Sequence, residues 1–308
     1  MMSITIDLSY HEIPCMKRRN LLFGSSLITG ATLAQVAGLA QARSMPREKK
    51  PELFTPKPTK PDDKESMPKG EMVTIAGDLK GYYVKPTQGR GPFPAVVVMM
   101  EAFGLNDQIK SVCNLYAKYG YAAIAPDIYY GDRYPYDKIT DAVVKLKTLK
   151  DDTVVKEFGQ TLDYLGNQFI VRKNAIGTIG FCMGGRYAFL MSAAHGDRIK
   201  ASVAFYGGGI ASNPDPMGRA SLLSRVPEIK GPIMLVYSAE DEYINAEEHA
   251  RITQALSSNR KRYNLCVIPK TQHGFMNDQR SGYNAEAAME AWDMAFGFFK
   301  KHVKGAAV

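Results

Sequence analysis

The hydrophobic pattern from residue 71 onward alternates between short strand-like runs and longer helix-like runs. Residues 95–100 form a continuous apolar run, which is typical of a strand buried on both faces. Further strands are predicted at residues 72–75, 79–84, 121–125, 175–180, 201–206, 233–238 and 263–268. Apolar residues at helical spacing predict helices over residues 106–119, 154–168, 186–194, 247–256 and 285–303. This alternation predicts one α/β domain over residues 71–308, with a mostly parallel central sheet and helices on both faces.

The first 42 residues have the features of an export signal. Arg18 and Arg19 precede a moderately apolar run, and that run ends at the small-x-small sequence Ala40-Gln41-Ala42. These features predict a twin-arginine-type signal peptide that starts at Met1 or Met16 and is cleaved near Ala42. We expect a periplasmic or secreted protein that engages the twin-arginine export machinery and has no stable membrane association after cleavage. An uncleaved anchor is the alternative, but glycine, serine and threonine interrupt the roughly 20 apolar residues that a span needs.

Composition changes the picture in two further ways. Residues 43–70 are rich in proline and lysine and are predicted to be a disordered linker, because they cannot bury enough apolar surface to fold. The net charge is +8, but the 39 basic residues are scattered among 31 acidic ones, so nucleic-acid binding is not expected.

The four cysteines do not form a metal-binding or disulfide pattern. They lie at positions 15, 113, 182 and 266, with no C-x-x-C pair and no histidine at metal-ligand spacing. We therefore predict no metal site and no disulfide between Cys113 and Cys266.

A glycine-rich turn surrounds one of these cysteines. Gly180-x-Cys182-x-Gly184-Gly185 lies between a predicted strand and a predicted helix, the context of a nucleophile elbow. The tight turn excludes bulky neighbours, and the helix N-terminus favours a thiolate and an oxyanion. Such a turn can also bind phosphate or simply hold a small buried cysteine.

An acid and a histidine follow in the chain order of an α/β-hydrolase. Asp241 follows the strand at 233–238, and His273 follows the strand at 263–268. Carboxyl ends of parallel strands meet at one sheet edge, so we expect both residues near Cys182. Glu240 could replace Asp241, and His273 could be an ordinary loop histidine. The histidines at positions 11, 195, 249 and 302 lie in the leader, on helices or in the C-terminal tail.

With Glu101-Ala102-Phe103-Gly104 after the apolar strand, these motifs resemble the dienelactone hydrolase family over residues 71–303. The resemblance implies an α/β-hydrolase fold without a cofactor that cleaves a small ester or lactone. It implies that Cys182 forms a thioester, with His273 as base and Asp241 orienting it. It further implies that Glu101 helps to convert thiol to thiolate when substrate binds, and that the backbone N–H groups of Ala102 and Met183 form the oxyanion hole.

The sequence departs from the family where substrate carboxylate is bound. The family's basic residue shortly after the histidine is absent from Met276-Asn277-Asp278, although Arg280 follows. Arg133 is one candidate for a second substrate-binding arginine. The ester or lactone class is therefore predicted, whereas dienelactone itself is not. The alternatives are a thioesterase or general carboxylesterase with the same triad, and a non-catalytic secreted binding protein on a hydrolase scaffold.

Overall fold

The computed structural model describes residues 67–305. The predicted signal peptide, its cleavage near Ala42, and the predicted linker as far as residue 66 lie outside the described residues. These described residues contain eight strands: β1 (Glu71–Ala76), β2 (Leu79–Val84), β3 (Phe93–Met99), β4 (Ala122–Pro126), β5 (Val171–Phe181), β6 (Ala201–Phe205), β7 (Ile233–Ser238) and β8 (Tyr263–Ile268). The helices are α1 (Asp107–Lys118), α2 (Ile139–Thr148), α3 (Asp151–Gly166), α4 (Met183–Ala194), α5 (Ala246–Ser258) and α6 (Ala285–Phe299), with a 3-10 helix at Leu223–Glu228 and a π turn at Lys300–Lys304.

All eight strands form one sheet in the order β1-β2-β4-β3-β5-β6-β7-β8. The β1–β2 and β2–β4 pairs are antiparallel, and every other neighbouring pair is parallel. The central strands β3, β4, β6 and β7 are buried along their whole length, as expected for strands covered on both faces. The predicted mostly parallel α/β sheet is confirmed.

The direction of the crossovers places helices on both faces. From β3 the chain moves through α1 to β4 on one side, whereas from β5 it moves through α4 to β6 on the other. Because such connections are right-handed, α1 and α4 cover opposite faces. The reversal between β3 and β5 is a topological switch point, the position at which open α/β sheets bind ligands at the carboxyl ends of their strands.

Aromatic side chains join α1 and α6 on one face of the sheet. The Tyr116 ring of α1 lies 5.0 Å from Phe296 and 5.6 Å from Phe299, both of α6. Offset and edge-to-face contacts of this kind add about 0.5–1.5 kcal/mol each beyond the burial of their area. This packing fixes the C-terminal helix against the sheet.

Three features of the fold were not predicted from the sequence. Helix α2 lies in a segment for which no element was predicted, and the 3-10 helix Leu223–Glu228 is likewise new. Strand β5 begins at Val171, before the predicted start at 175, because its first residues include the exposed polar Lys173 and Asn174. In the part of the chain that the structure describes, the helices are too short or too polar to cross a bilayer.

Candidate active site

The predicted chemical groups converge at the carboxyl edge of the sheet. Glu101 follows β3, Cys182 follows β5, Asp241 follows β7 and His273 follows β8. Glu101 and Cys182 therefore leave the two strands that flank the switch point, which are direct neighbours in the sheet. The sheet brings together residues separated by up to 172 positions in the sequence, from Glu101 to His273.

Cys182 occupies a strained turn between β5 and α4. Its backbone has φ 53° and ψ −117°, in the left-handed half of conformational space that non-glycine residues rarely adopt. The Cys182 N–H donates to the Phe205 carbonyl at 3.0 Å, and the Cys182 carbonyl accepts from the Gly185 N–H at 2.9 Å. The surrounding hydrogen bonds thus hold the half-buried thiol clear of the backbone at the first turn of α4.

The glycines of the elbow are required by close backbone approach. A Cβ atom on Gly180 would lie 1.9 Å from the Gly184 carbonyl oxygen, and one on Gly184 would lie 2.2 Å from the Met99 carbonyl oxygen. A Cβ atom on Gly185 would lie 2.5 Å from the Phe205 carbonyl oxygen. All three contacts are with backbone, which cannot move aside as a side chain can. The elbow therefore fits only with glycine at these positions.

His273 and Asp241 form a buried hydrogen-bonded pair. The His273 Nδ1 atom lies 2.9 Å from Asp241 Oδ2 and 3.2 Å from Oδ1. Asp241 Oδ1 also accepts the backbone N–H groups of Tyr243 and Ile244, at 3.0 and 3.2 Å, which fixes the carboxylate. Glu240, the sequence alternative, is exposed and is not the partner of the His273 ring. This arrangement leaves the other ring nitrogen, Nε2, as the one free to face Cys182.

Electrostatics couple His273 to the cysteine. Burial lowers the pKa of the imidazole, but the negative charge of Cys182 and the hydrogen bonds with Asp241 and Cys182 outweigh it, so that the pKa of His273 is raised to about 10. The imidazolium form is therefore favoured whenever Cys182 is a thiolate. A thiolate–imidazolium pair is the reactive form of a cysteine nucleophile.

Glu101 is fully buried beside this pair. Desolvation raises its pKa, although Arg280, His273 and a hydrogen bond from Asn277 act in the opposite direction. Its Oε2 atom accepts from Asn277 Nδ2 at 3.1 Å, while Oε1 is buried without a hydrogen-bond partner. An unpartnered buried carboxylate oxygen costs about 1–3 kcal/mol, so this arrangement needs a functional explanation.

A polar network around Glu101 was missed by sequence reasoning. Asn277 Nδ2 also donates to the Tyr136 hydroxyl at 2.8 Å, and that hydroxyl accepts from Asn106 Nδ2 at 2.9 Å. Asn106 is in addition the N-cap of α1, where its side chain accepts from the Ile109 N–H. The one available signal was the position of Asn277 four residues after His273, on the same loop.

The two proposed oxyanion-hole residues both line the cavity at Cys182. The Met183 N–H belongs to the first turn of α4, where helix N–H groups have no acceptor within the helix. Ala102 lies in a turn that is closed by the Gly104 N–H donating to the Glu101 carbonyl at 3.2 Å. Gly104 has φ 88°, a conformation that glycine adopts without strain. Their assignment to the oxyanion hole stays a prediction.

A cavity of about 270 Å³ opens onto the thiol and the imidazole, and its lining includes both Cys182 and His273. One side, which we call the apolar wall, comes from α2 and from the loop between β6 and β7. It consists of Ile139, Val143, Leu146, Pro216 and Met217. Clefts that are mostly apolar with a few convergent polar groups are typical of small-molecule sites. The element that builds most of this wall, α2, is the helix that sequence reasoning missed.

The arginines at the cavity differ from those expected. Arg280 lines it, with its guanidinium 5.7 Å from the centre of the Phe103 ring. Arg133, the other candidate, is exposed and does not line this cavity; Arg219 does, and it is paired with Asp215 at 3.0 Å. Asn277 lies in the segment where the family has a basic residue, and it carries no charge. Arg280, three residues later, places a positive charge at the cavity instead.

The other cysteines and histidines of the described residues do not line this cavity. Cys113 and Cys266 are free thiols in α1 and β8. His195 bonds to the Val155 carbonyl at 2.9 Å, and the His249 ring packs 4.1 Å from Tyr237. Among residues 67–305, no group of three or more histidine, cysteine, aspartate or glutamate side chains is arranged to hold a metal ion.

Comparison with known proteins gives a consistent result. The Dienelactone hydrolase family matches residues 79–303. A provisionally named carboxymethylenebutenolidase of Yersinia pestis is 33% identical over 233 residues, which cover 73% of this chain and 84% of that protein. A Bradyrhizobium protein, provisionally named a 2-oxo-3-(5-oxofuran-2-ylidene)propanoate lactonase, is 31% identical over 230 residues, covering 74% and 92%.

A solved structure agrees with these relatives. The crystal structure of a provisionally assigned dienelactone hydrolase from Klebsiella pneumoniae superposes with a TM-score of 0.70 at 26% identity, covering 76% of this chain and 98% of that one. The predicted α/β-hydrolase fold and the predicted enzyme class are thereby confirmed. The chain is a hydrolase of esters or lactones that belongs to the dienelactone hydrolase family.

Proposed function

We propose that the protein hydrolyses a small carboxylic ester or lactone through a thioester formed on Cys182. The observation that carries this proposal is that Cys182 and His273 line one open cavity, with the His273 ring hydrogen-bonded to Asp241. A thiol at its ordinary pKa of about 8.5 is mostly protonated at neutral pH, so it needs such a base. His273 accepts the thiol proton, and Asp241 fixes the ring and stabilises its positive form.

In the acylation step the Cys182 sulfur attacks the carbonyl carbon, and the carbonyl oxygen becomes an oxyanion. The N–H groups of Ala102 and Met183 donate to it, and pre-oriented donors of this kind contribute about 2.7–4 kcal/mol each. The bond to the leaving alkoxide then breaks, and His273 gives its proton to that oxygen. In a lactone the alcohol stays attached, because it is part of the acyl group.

Deacylation needs His273 in its neutral form. Thioester formation removes the negative charge of Cys182, which is one of the causes that raise the pKa of His273. His273 has already given its proton to the leaving oxygen, and without the Cys182 charge its pKa is lower, so the neutral imidazole persists and can accept a proton from a water molecule. That water attacks the thioester carbonyl, the carboxylic acid leaves, and the thiol is restored.

Glu101 has a supporting role in this proposal. Its carboxyl is buried, and one of its oxygens has no hydrogen-bond partner. His273 lies close enough for its positive charge to lower the pKa of Glu101. An ionised Glu101 would take up a proton more readily as substrate excludes the remaining water from the cavity. This supports the assignment of Glu101 as the group that assists conversion of the thiol to the thiolate.

The test is hydrolysis of p-nitrophenyl acetate by the wild-type protein and by Cys182→Ala. We expect the substitution to remove at least about 10³-fold of kcat/KM, as for other nucleophile deletions. Cys266→Ala is the matched control, because Cys266 is a partly exposed thiol on β8 that does not line the cavity. Equal activity of Cys182→Ala and wild type would overturn the proposal.

A second substitution tests the thiol itself. Cys182→Ser keeps the elbow and the size of the side chain but replaces the thiol by a far less acidic hydroxyl. We expect it to lose most of the activity. Unchanged turnover would count against a thiol-specific role of Glu101.

We also propose that the protein is exported by the twin-arginine route. The proposal rests on Arg18-Arg19, the apolar run and Ala40-Gln41-Ala42 in the sequence. Replacement of both arginines by lysine should leave the precursor in the cytoplasm, whereas the native sequence should yield a shorter periplasmic form. Equal export of the two forms would contradict this route.

A further inference from the structure

We infer that the apolar wall is a subsite for an apolar substituent of the substrate, with about four to eight carbons next to the ester or lactone group. This inference rests on the proposed function, because the wall faces the same cavity as Cys182. It adds a substrate class and names the residues that select it.

The wall is made of apolar side chains alone. Helix α2 contributes Ile139, Val143 and Leu146, which follow one another at spacings of four and three residues and so share one face of the helix. Pro216 and Met217 extend the same surface from the β6–β7 loop. None of these five side chains has a polar group that could recognise a carboxylate or hydroxyl, so the wall can recognise only apolar surface.

The charged groups at the cavity lie away from this surface or already have partners. The Arg219 guanidinium is engaged by Asp215 through two contacts, at 3.0 and 3.3 Å. Arg280 lies over Phe103 and interacts with Glu101. The Glu242 carboxylate accepts the backbone N–H of His273 at 3.4 Å. The charged side chains that line the cavity thus already have interactions within the protein, and the apolar wall is left for the remainder of the substrate.

Buried polar contacts fix the segments on either side of the wall. Arg186, which is fully buried, bonds both oxygens of Asp151 at 2.7 and 2.8 Å and also donates to the carbonyls of Gly209 and Ala220. These contacts fix the start of α3, directly after α2, and both ends of the loop that carries Met217. A wall fixed in this way keeps its cavity in the free protein, which lowers the entropy cost of binding.

The loop has a second anchor at its first residues. Glu248 of α5 is buried and accepts the Ala211 N–H at 2.9 Å and the Ser212 hydroxyl at 2.8 Å. On α2, Lys145 pairs with Asp132 at 2.6 Å. In both contacts the polar groups are already paired within the protein. The five side chains of the apolar wall therefore remain as its surface for a substrate.

The volume of the cavity limits the length of the substituent. An apolar cavity of about 150 Å³ accommodates benzene. The present cavity, about 270 Å³, has room for the reacting group and for an alkyl or aryl substituent of moderate length. Longer chains would leave the cavity past Tyr243, which lines it and is 62% exposed.

The experiment measures kcat/KM for two ester series without an aromatic leaving group, using a pH-stat and concentrations below micelle formation. One series is ethyl acetate to ethyl decanoate, and the other is ethyl acetate to octyl acetate. In at least one series we expect about a four-fold rise for each added methylene, until the cavity is filled at about six to eight carbons. A flat or falling profile in both series would overturn the inference.

A matched pair of substitutions locates the subsite. Val143 lines the cavity, whereas its neighbour Val144 points to solvent. Val143→Asp should lower the ratio of long-chain to acetyl activity by at least about 30-fold, because it places a charge against the alkyl chain. Val144→Asp should retain the wild-type ratio. If the two variants have the same chain-length profile, the wall is not the subsite.

A further variant covers the case in which Val143→Asp does not fold. Val143→Phe keeps the wall apolar but fills part of the cavity, so the preferred chain should become shorter by two or more carbons. An unchanged optimum would contradict the inference. The results distinguish the two proposals. If activity depends on Cys182 but shows no chain-length preference, only the subsite is refuted. If activity does not depend on Cys182, the proposed mechanism is refuted.

Discussion

The two sides of the active-site cavity are built in different ways. On the catalytic side, Cys182, Asp241 and His273 follow the ends of strands, and the backbone around Cys182 is packed so closely that its glycines tolerate no added atom. On the apolar wall, α2 buries only Ala142 and Leu146 and begins without a side-chain cap. The fold therefore fixes the elbow through the backbone itself, whereas the wall is fixed by side-chain contacts to its loop and to the start of α3. Substitutions on the two sides should therefore have different kinds of effect.

The largest effect is expected on the catalytic side, from Asp241→Asn. Loss of the carboxylate that orients His273 should lower kcat by about 10³–10⁴-fold. It should also move the alkaline limit of kcat/KM to lower pH. The pKa of His273 is raised in part by Asp241, so the imidazolium persists to alkaline pH and is lost as pH rises through that pKa. Removing the charge lowers this pKa.

Glu240→Gln is the control for that substitution, because Glu240 is the adjacent, exposed carboxylate. Its pH–rate profile should match the wild type. The same loss in both variants would mean that Asp241 does not act through His273.

The next largest effect is expected from a single methyl group at the elbow. In Gly184→Ala the new Cβ would lie 2.2 Å from the Met99 carbonyl oxygen, so the strand or helix must shift. We expect the free energy of unfolding to fall by about 3 kcal/mol or more, which corresponds to a fall in Tm of about 6–12 °C. Gly297→Ala in α6 meets no atom within 4 Å and should raise stability by about 0.5–1 kcal/mol. Thermal unfolding of both variants checks this contrast.

Arg186→Met tests the link between the two sides. Arg186 lies four residues after Cys182, yet it fixes the loop of the apolar wall. We expect the free energy of unfolding to fall by about 2–3 kcal/mol. Breaking a fully buried ion pair costs about 3–5 kcal/mol, and the cost is smaller here because Asp151 is 30% exposed. KM for long-chain esters should rise more than KM for acetate.

Arg198→Met is the control, since it breaks the exposed pair between Arg198 and Asp163. Such a pair contributes less than about 1 kcal/mol, so both stability and KM should stay near the wild-type values. Equal losses in the two variants would refute the special role of Arg186.

The smallest effect is expected from Glu101→Gln on stability. The folded protein holds a proton on Glu101 more tightly than the unfolded chain does, because burial raises its pKa. Stability is therefore lost as pH rises above the unfolded value of about 4.3. The neutral glutamine avoids this loss, so Tm should rise by about 2–4 °C at pH 7.5 and by less at pH 4. A pH-independent change would contradict the assignment.

Much of the fold and the position of the site could be predicted from the sequence. In an α/β protein, a short continuous apolar run such as residues 95–100 is typical of a strand that is buried on both faces. The elbow was recognisable because Gly180, Gly184 and Gly185 are required by backbone contacts alone. Asp241 and His273 were recognisable because each follows a strand end.

The apolar wall and the polar network around Glu101 could not be predicted in the same way. Helix α2 has two adjacent β-branched residues, Val143 and Val144, and no capping side chain, so its signal was limited to the spacing of Ile139, Val143 and Leu146. The bonds of Asn277 to Glu101 and Tyr136 join segments 176 and 141 residues apart. Contacts between such distant loops depend on tertiary packing, which no local pattern encodes.

The most direct test of the central claim is detection of the acyl-enzyme. Wild-type protein is mixed with p-nitrophenyl butyrate, quenched in acid within milliseconds to seconds, and analysed by intact-mass and peptide mass spectrometry. The account predicts a mass increase of one butyryl group on the peptide that contains Cys182, and its absence in Cys182→Ala. Rapid turnover with no acyl group on Cys182 at any time, together with full activity of Cys182→Ala, would contradict the account.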